Sequence, residues 1–115
     1  DFGFRHDPTD PLGTLADYCS GCYTNLNLPA RIDMLVRYIH EYQADGFLIN
    51  SVKSCNSFSA GQLVILREVE RRTGIPGGFI ESDLVDPRYF SAANIKNRLE
   101  SYFQMIDARR LGKSA

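Results

Sequence analysis

The feature that most limits the fold is an alternation. Two short apolar runs, Gly46-Phe47-Leu48-Ile49 and Ile75-Pro76-Gly77-Gly78-Phe79-Ile80-Glu81, each follow a longer stretch in which apolar residues recur at helical spacing. In the first stretch Ile32, Leu35, Val36 and Ile39 fall on one face. Asn27 is placed to cap it, Pro29 suits its first turn and Asp45-Gly46 stops it, so a helix is expected over residues 29–44. Phe47-Leu48-Ile49 is too short for a helix and reads as a strand buried on both faces. Ser57 or Ser59 can cap a second helix through Leu63, Val64, Leu66 and Val69 to Thr73-Gly74. The second run is then a second strand, with Pro76 tolerable at its start. Ser91 can cap a third helix, with Ile95, Leu99, Tyr102, Phe103 and Ile106 on one face, ending near Gly112. Phe79, Phe90 and Phe103 are expected in the core.

Helix, strand, helix, strand and helix with short connections predict the α/β class: a Rossmann- or flavodoxin-like parallel sheet with right-handed crossovers, flanked by helices. Two strands do not complete such a sheet. A further strand has to come from residues 14–26, from chain upstream or from a neighbouring domain. Residues 1–27 carry Pro8, Pro11, Gly13, Gly21, Asn25 and Asn27 and one short helical candidate, Leu12 to Tyr18. They read as a linker or crossing segment, with residues 28–115 forming the α/β lobe.

The chain has 115 residues, 43% of them hydrophobic and 23% charged, with a net charge of −1, which is the composition of one ordinary globular domain. Charges of both signs are interspersed, as in Arg67-Glu68-Val69-Glu70-Arg71-Arg72, so there is no basic face and nucleic acid is not an expected partner. No apolar stretch approaches the ~20 residues of a bilayer span, so no membrane is expected either. Asp1-Phe2-Gly3-Phe4-Arg5-His6 has neither an initiator Met nor a signal-peptide layout. The segment reads as soluble and cytoplasmic, and as cut from something longer.

Ligands of open parallel sheets sit outside the carboxyl ends of the strands. Here those ends are Asn50 to Asn56 and Glu81 to Asp86, two polar loops expected side by side. The first carries Cys55, immediately ahead of an expected helix whose positive end favours a thiolate, with Lys53 close by in sequence. Such a thiol is primed for metal or for nucleophilic attack; equally, Cys55 can be a small filler in a tight turn. The chain has three cysteines, Cys19-x-x-Cys22 and then Cys55. That fits neither a disulfide framework nor a zinc site, and it favours a reducing compartment. Glu81, Asp83 and Asp86 are expected chiefly as caps and as partners for Arg88, while His40, Tyr38 and Tyr42 are expected as surface or packing groups on their helix.

The order of short motifs adds a resemblance. Tyr23-Thr24-Asn25-x-x-Leu28, Asp45-Gly46, Ser54-Cys55, Ser59-x-Gly61-Gln62, Gly74-Ile75-Pro76, Ile80-Glu81-x-Asp83, Asp86-x-Arg88 and Arg98-Leu99-Glu100-x-x-Phe103 together resemble the C-terminal domain of the benzoyl-CoA reductase and 2-hydroxyacyl-CoA dehydratase subunit family. The match covers nearly the whole chain, and its specificity lies in the joint pattern.

The resemblance implies the C-terminal lobe of a larger subunit, with a [4Fe-4S] cluster held between lobes and Cys55 as one cluster ligand. The neighbours Ser54 and Asn56, with Lys53, are then candidates for hydrogen bonds to cluster sulfurs. It implies one-electron reduction of an acyl-CoA or aroyl-CoA thioester, with a related second subunit and a separate ATP-dependent electron-donor protein. No particular catalytic residue is indicated. Gly74-Ile75-Pro76-Gly77-Gly78 lacks the lysine and hydroxyl of a phosphate-binding loop, so ATP is not expected on this chain. Cys19 and Cys22 match no family ligand and read as incidental thiols, the alternative being that they join Cys55 on one cluster. A non-catalytic cluster carrier and a cluster-free interaction domain stay open beside the enzyme. Tyr23-Thr24-Asn25-x-x-Leu28 and Ser54-Cys55 tilt the substrate toward the benzoyl-CoA type.

Overall fold

The Asn27 side chain accepts a hydrogen bond from Ala30 N at 3.0 Å, closing the orphan end of a helix that begins with Leu28-Pro29. That start sets the order of everything after it in the computed structural model, which describes residues 6–113. Helix α1 is Pro11–Gly21, followed by a single 3-10 turn at Tyr23–Asn25 and by α2, Leu28–Glu41. Strand β1 is Phe47–Val52, α3 is Asn56–Ser59 and α4 is Gln62–Thr73. Strand β2 is Gly77–Ser82, a 3-10 turn occupies Pro87–Tyr89 and α5 is Ala92–Lys113. The two strands pair in parallel, with Phe47 opposite Gly77 and Val52 opposite Ser82. Residues 14–26 contribute helix and turn rather than a third strand.

Strand alternation divides the sheet into two unlike faces. Ile49 of β1 joins Ile32 and Ile39 of α2 and Ile65 and Val69 of α4 in one buried cluster, with Phe47 and Phe79 packed against it. Ile65 and Val69 are fully buried. Leu48 points the other way and is 42% exposed, so β1 is not buried on both faces as its apolar run suggested. Across that second face lies α5, anchored by Tyr102. Its hydroxyl donates toward the carbonyl oxygens of Phe47 and Pro76, each at 2.9 Å, and so clamps the starts of the two strands together. The close approach explains Gly78: a Cβ there would sit 2.4 Å from Leu48 Cδ2 and 2.9 Å from Tyr102 Cδ2.

Three further expectations are corrected. Neither Ser57 nor Ser59 caps a long helix: one short turn, α3, follows Cys55, and the chain then breaks at Ala60-Gly61 before α4 starts at Gln62. Gly61 makes that break because its φ of 76° is open to glycine at little cost. Phe90 and Phe103 are not core; they are 69% and 55% exposed. Helical spacing alone could not separate Phe103 from its neighbour Tyr102, since α5 meets the sheet along a narrow line. Helix α2 ends at Glu41, before the expected 44, through a turn in which Gln43 takes a φ of 49°. The Ser91 cap is present, accepting from Asn94 N at 3.3 Å.

Candidate functional site

Both strands deliver their carboxyl ends to the same edge of the molecule, and the two following loops are fastened to each other. Lys53 N donates to Ser82 O at 2.9 Å, and Ser82 Oγ donates to Asn50 Oδ1 at 2.8 Å. Asp83 is the knot. Its carboxylate accepts from Val85 N at 2.8 Å and Asp86 N at 2.9 Å, and Ser54 of the first loop also hydrogen-bonds to it. The Asp86 and Val85 amides, helped by Ser54, hold the Asp83 carboxyl below its ordinary value. Asp86 caps the 3-10 turn and forms a bidentate pair with Arg88, its shortest contact 2.6 Å, which again keeps the carboxyl charged.

Cys55 sits in this fastened edge. Its amide donates to Val52 O at 3.1 Å, closing the Lys53-Ser54 turn, and its carbonyl accepts from Phe58 N at 3.1 Å. The thiol is half-buried and free. Ser54 and Asn56 on either side are exposed. The structure thus brings Ser54, Cys55 and Asn56 together at the strand end, as expected. It alters the electrostatic argument, however. Four helical residues follow Cys55 instead of a full helix, so the long dipole of α4 begins beyond Gly61, and the Lys53 ammonium is engaged elsewhere, 3.9 Å from Glu81 and 4.6 Å from the centre of the Tyr89 ring.

One residue that sequence reasoning passed over shapes the site from below. Arg31 is buried, and its guanidinium donates to Leu26 O, Thr24 O and Ser57 O while lying 5.3 Å from the Tyr23 ring centre. It therefore bolts the Tyr23–Asn25 turn to α3, the turn that carries Cys55 at its head. Burial raises the Tyr23 hydroxyl above its ordinary value, an effect the Arg31 charge partly offsets. The available signal was an arginine at an inward helical position beside Ile32, which pattern reading treats as surface.

The donor set decides how a metal could be held. Among the described residues, no group of three or more His, Cys, Asp or Glu side chains is placed to hold a metal ion. Cys19 is exposed, and the Cys22 thiol donates to Tyr18 O at 3.3 Å. An iron–sulfur cluster takes thiolate ligands, usually four. The site fits as one contributor to a shared centre: a free, half-buried thiol in a braced loop.

The architecture and this edge define a class, an α/β lobe whose strand-end loops present a single free thiol to whatever lies beside it. The model of the family "2-hydroxyglutaryl-CoA dehydratase, D-component" matches residues 2–106, and the chain belongs to that family. It is 74% identical over 114 residues to a benzoyl-CoA reductase subunit of Thauera aromatica, an alignment covering 99% of this chain and 26% of the relative. The alpha subunit of lactoyl-CoA dehydratase from Anaerotignum propionicum is 25% identical over 105 residues, covering 90% of this chain and 25% of the relative. The alpha subunit of (R)-2-hydroxyglutaryl-CoA dehydratase from Acidaminococcus fermentans is 25% identical over 107 residues, covering 93% and 22%. The chain spans about a quarter of the length of these curated relatives.

Proposed function

We propose that this chain is the cysteine-bearing lobe of a benzoyl-CoA reductase-type subunit, in which Cys55 supplies one thiolate to a [4Fe-4S] cluster shared with other parts of the assembly. The observation that carries the reading is the difference in identity: 74% to a benzoyl-CoA reductase subunit against 25% to two dehydratase subunits over nearly the same residues. The free Cys55 thiol at the carboxyl end of β1 supports it, because that edge is where an open parallel sheet receives ligands.

When bound, such a cluster supplies single electrons for reduction of a CoA thioester. The work of this chain's residues is positional. The Val52–Cys55 backbone hydrogen bond and the Asp83 knot brace the loop that carries the thiol. Asn56 flanks the thiol as a hydrogen-bond donor to cluster sulfur, an arrangement that tunes reduction potential, while Ser54, whose hydroxyl is given to Asp83, braces the loop on the other side. Remaining ligands, a related second subunit, the acyl pocket and an ATP-dependent electron-donor protein belong to the rest of the complex. The dehydratase alternative has the family model and the 25% relatives behind it.

Anaerobic reconstitution of the complete subunit complex, with and without Cys55→Ser, tests the assignment by iron content and by EPR of the reduced protein. We expect loss of the cluster signal in the variant; unchanged cluster content overturns the ligand role of Cys55. Asn56→Ala should keep the cluster and shift its midpoint potential. Turnover of benzoyl-CoA against 2-hydroxyacyl-CoA thioesters, with a strong reductant, then separates reductase from dehydratase.

A further inference from the structure

A cleft at the carboxyl end of β2, roofed by the first two turns of α5, has no part in the reading above. It encloses about 140 Å³, well under the roughly 300–1,000 Å³ of a pocket for a whole small-molecule ligand, so it can take one functional group and not a complete cofactor. Its walls bring together Lys53, Arg98, Asn94, Ser91, Tyr89 and Glu81. Two cations face a single carboxylate there, which leaves a net charge of +1.

Neither cation is locked to a carboxylate by a short hydrogen bond. The Lys53–Glu81 pair, at 3.9 Å, is a loose contact between two half-exposed side chains, and the ammonium otherwise lies 4.6 Å from the centre of the Tyr89 ring. Arg98 makes one long hydrogen bond, 3.4 Å from Nη1 to Phe79 O, although a guanidinium carries five donors. Arg71, Arg72 and Arg88 on the same molecule are locked to carboxylates by hydrogen bonds of 2.6–3.0 Å. Arg98 is therefore an arginine with donor capacity in hand, lining the same small cleft as the Lys53 ammonium, Asn94 and Ser91. A fork of donors facing a point charge is the arrangement that grips a tetrahedral oxyanion.

We propose that this cleft is an oxyanion subsite that binds a phosphate group, with Arg98 donating in bidentate fashion and Lys53 turning from Glu81 to the incoming anion. The phosphate can belong to a coenzyme A moiety or be free in solution. Because Lys53 stands in the same turn as Ser54 and Cys55, the subsite lies beside the thiol loop, yet it rests on the cleft alone and not on the cluster assignment.

Calorimetric titration of the complete subunit with inorganic phosphate is the test, repeated with Arg98→Ala, Arg98→Lys, Lys53→Met and the remote surface control Arg67→Ala. We expect saturable binding that weakens at least tenfold in Arg98→Ala and Lys53→Met, is partly kept in Arg98→Lys, and is unchanged in Arg67→Ala. Coenzyme A displacing phosphate from the wild type assigns the group to the thioester ligand, and failure to displace it assigns a free anion; either result upholds the subsite. Absence of saturable phosphate binding, or equal binding by wild type and Arg98→Ala, overturns it. Benzoyl-CoA turnover with phosphate binding absent would sink this inference and leave the reductase reading standing, and the reverse pattern would do the opposite.

Discussion

The two faces of the β1–β2 sheet are built to different standards. Under α2 and α4, five aliphatic side chains close into a dry cluster with two residues at zero exposure. Under α5, one tyrosine is the anchor, Leu48 and Phe103 remain in contact with solvent, and open clefts lie at both ends of the helix. A domain of this size gains most of its stability from one well-packed core. The α2–α4 face supplies that core, which leaves the α5 face loose enough to hold a polar cleft. Tight packing and openness are thus divided between the two sides of one small sheet.

The sharpest way to break that comparison is to damage the closed face. Ile65→Ala removes a fully buried side chain from the centre of the cluster and should cost on the order of 2–5 kcal/mol in denaturant unfolding, because the surrounding helices cannot collapse into the space. Overpacking the seam between the faces comes next. Gly78→Ala places a methyl group against Leu48 and Tyr102 and should cost about 1–3 kcal/mol, with local hydrogen exchange rising first along β2.

Tyr102→Phe is a finer cut, since it keeps the ring and deletes the hydroxyl that clamps Phe47 O and Pro76 O. A loss of about 1 kcal/mol is expected from the hydrogen bonding. It also has a pH signature. Burial raises the Tyr102 hydroxyl above its ordinary value. A proton held more tightly in the folded state gives stability that is complete below the unfolded value near 10 and is lost as pH rises through the higher folded value. The wild type should therefore weaken at alkaline pH by a step that Tyr102→Phe lacks, and equal alkaline limbs would remove the clamp from the account.

Legibility in the sequence followed the same division. On the closed face the α2 side was readable because Ile32 and Ile39 keep helical period, and Phe47-Leu48-Ile49 is a strand-length run; on α4 Val69 was named, but Leu63 and Val64 are exposed and the fully buried Ile65 was not among the residues named. The Asn27 and Ser91 caps and the Thr73-Gly74 stop were readable too, since each depends on one residue's local chemistry. On the open face, period failed. Phe103 shares its apolar character with Tyr102 but not its burial, and contact along a narrow line cannot be inferred from spacing. The Cys55 loop was found, because a thiol at a strand end is conspicuous; its bracing was not. Arg31, which joins the Tyr23 turn to α3, and Asp83, which joins Ser54 to the second loop, act through tertiary hydrogen bonds that leave no periodic trace.

Phe103→Ala is the smallest change and the most direct measure of how open the α5 face is. The ring lies 5.8 Å from that of Tyr102, tilted by 54°, with more than half of its surface in solvent. Exposed side chains away from special contacts usually alter stability by within about 0.5 kcal/mol, and one ring-to-ring contact adds about 0.5–1.5 kcal/mol when buried. The expected loss in this chain is therefore under about 1 kcal/mol, far below that of Ile65→Ala. A penalty matching Ile65→Ala would mean that α5 is packed as firmly as α2 and α4, and the division between a closed face and an open face would have to be given up.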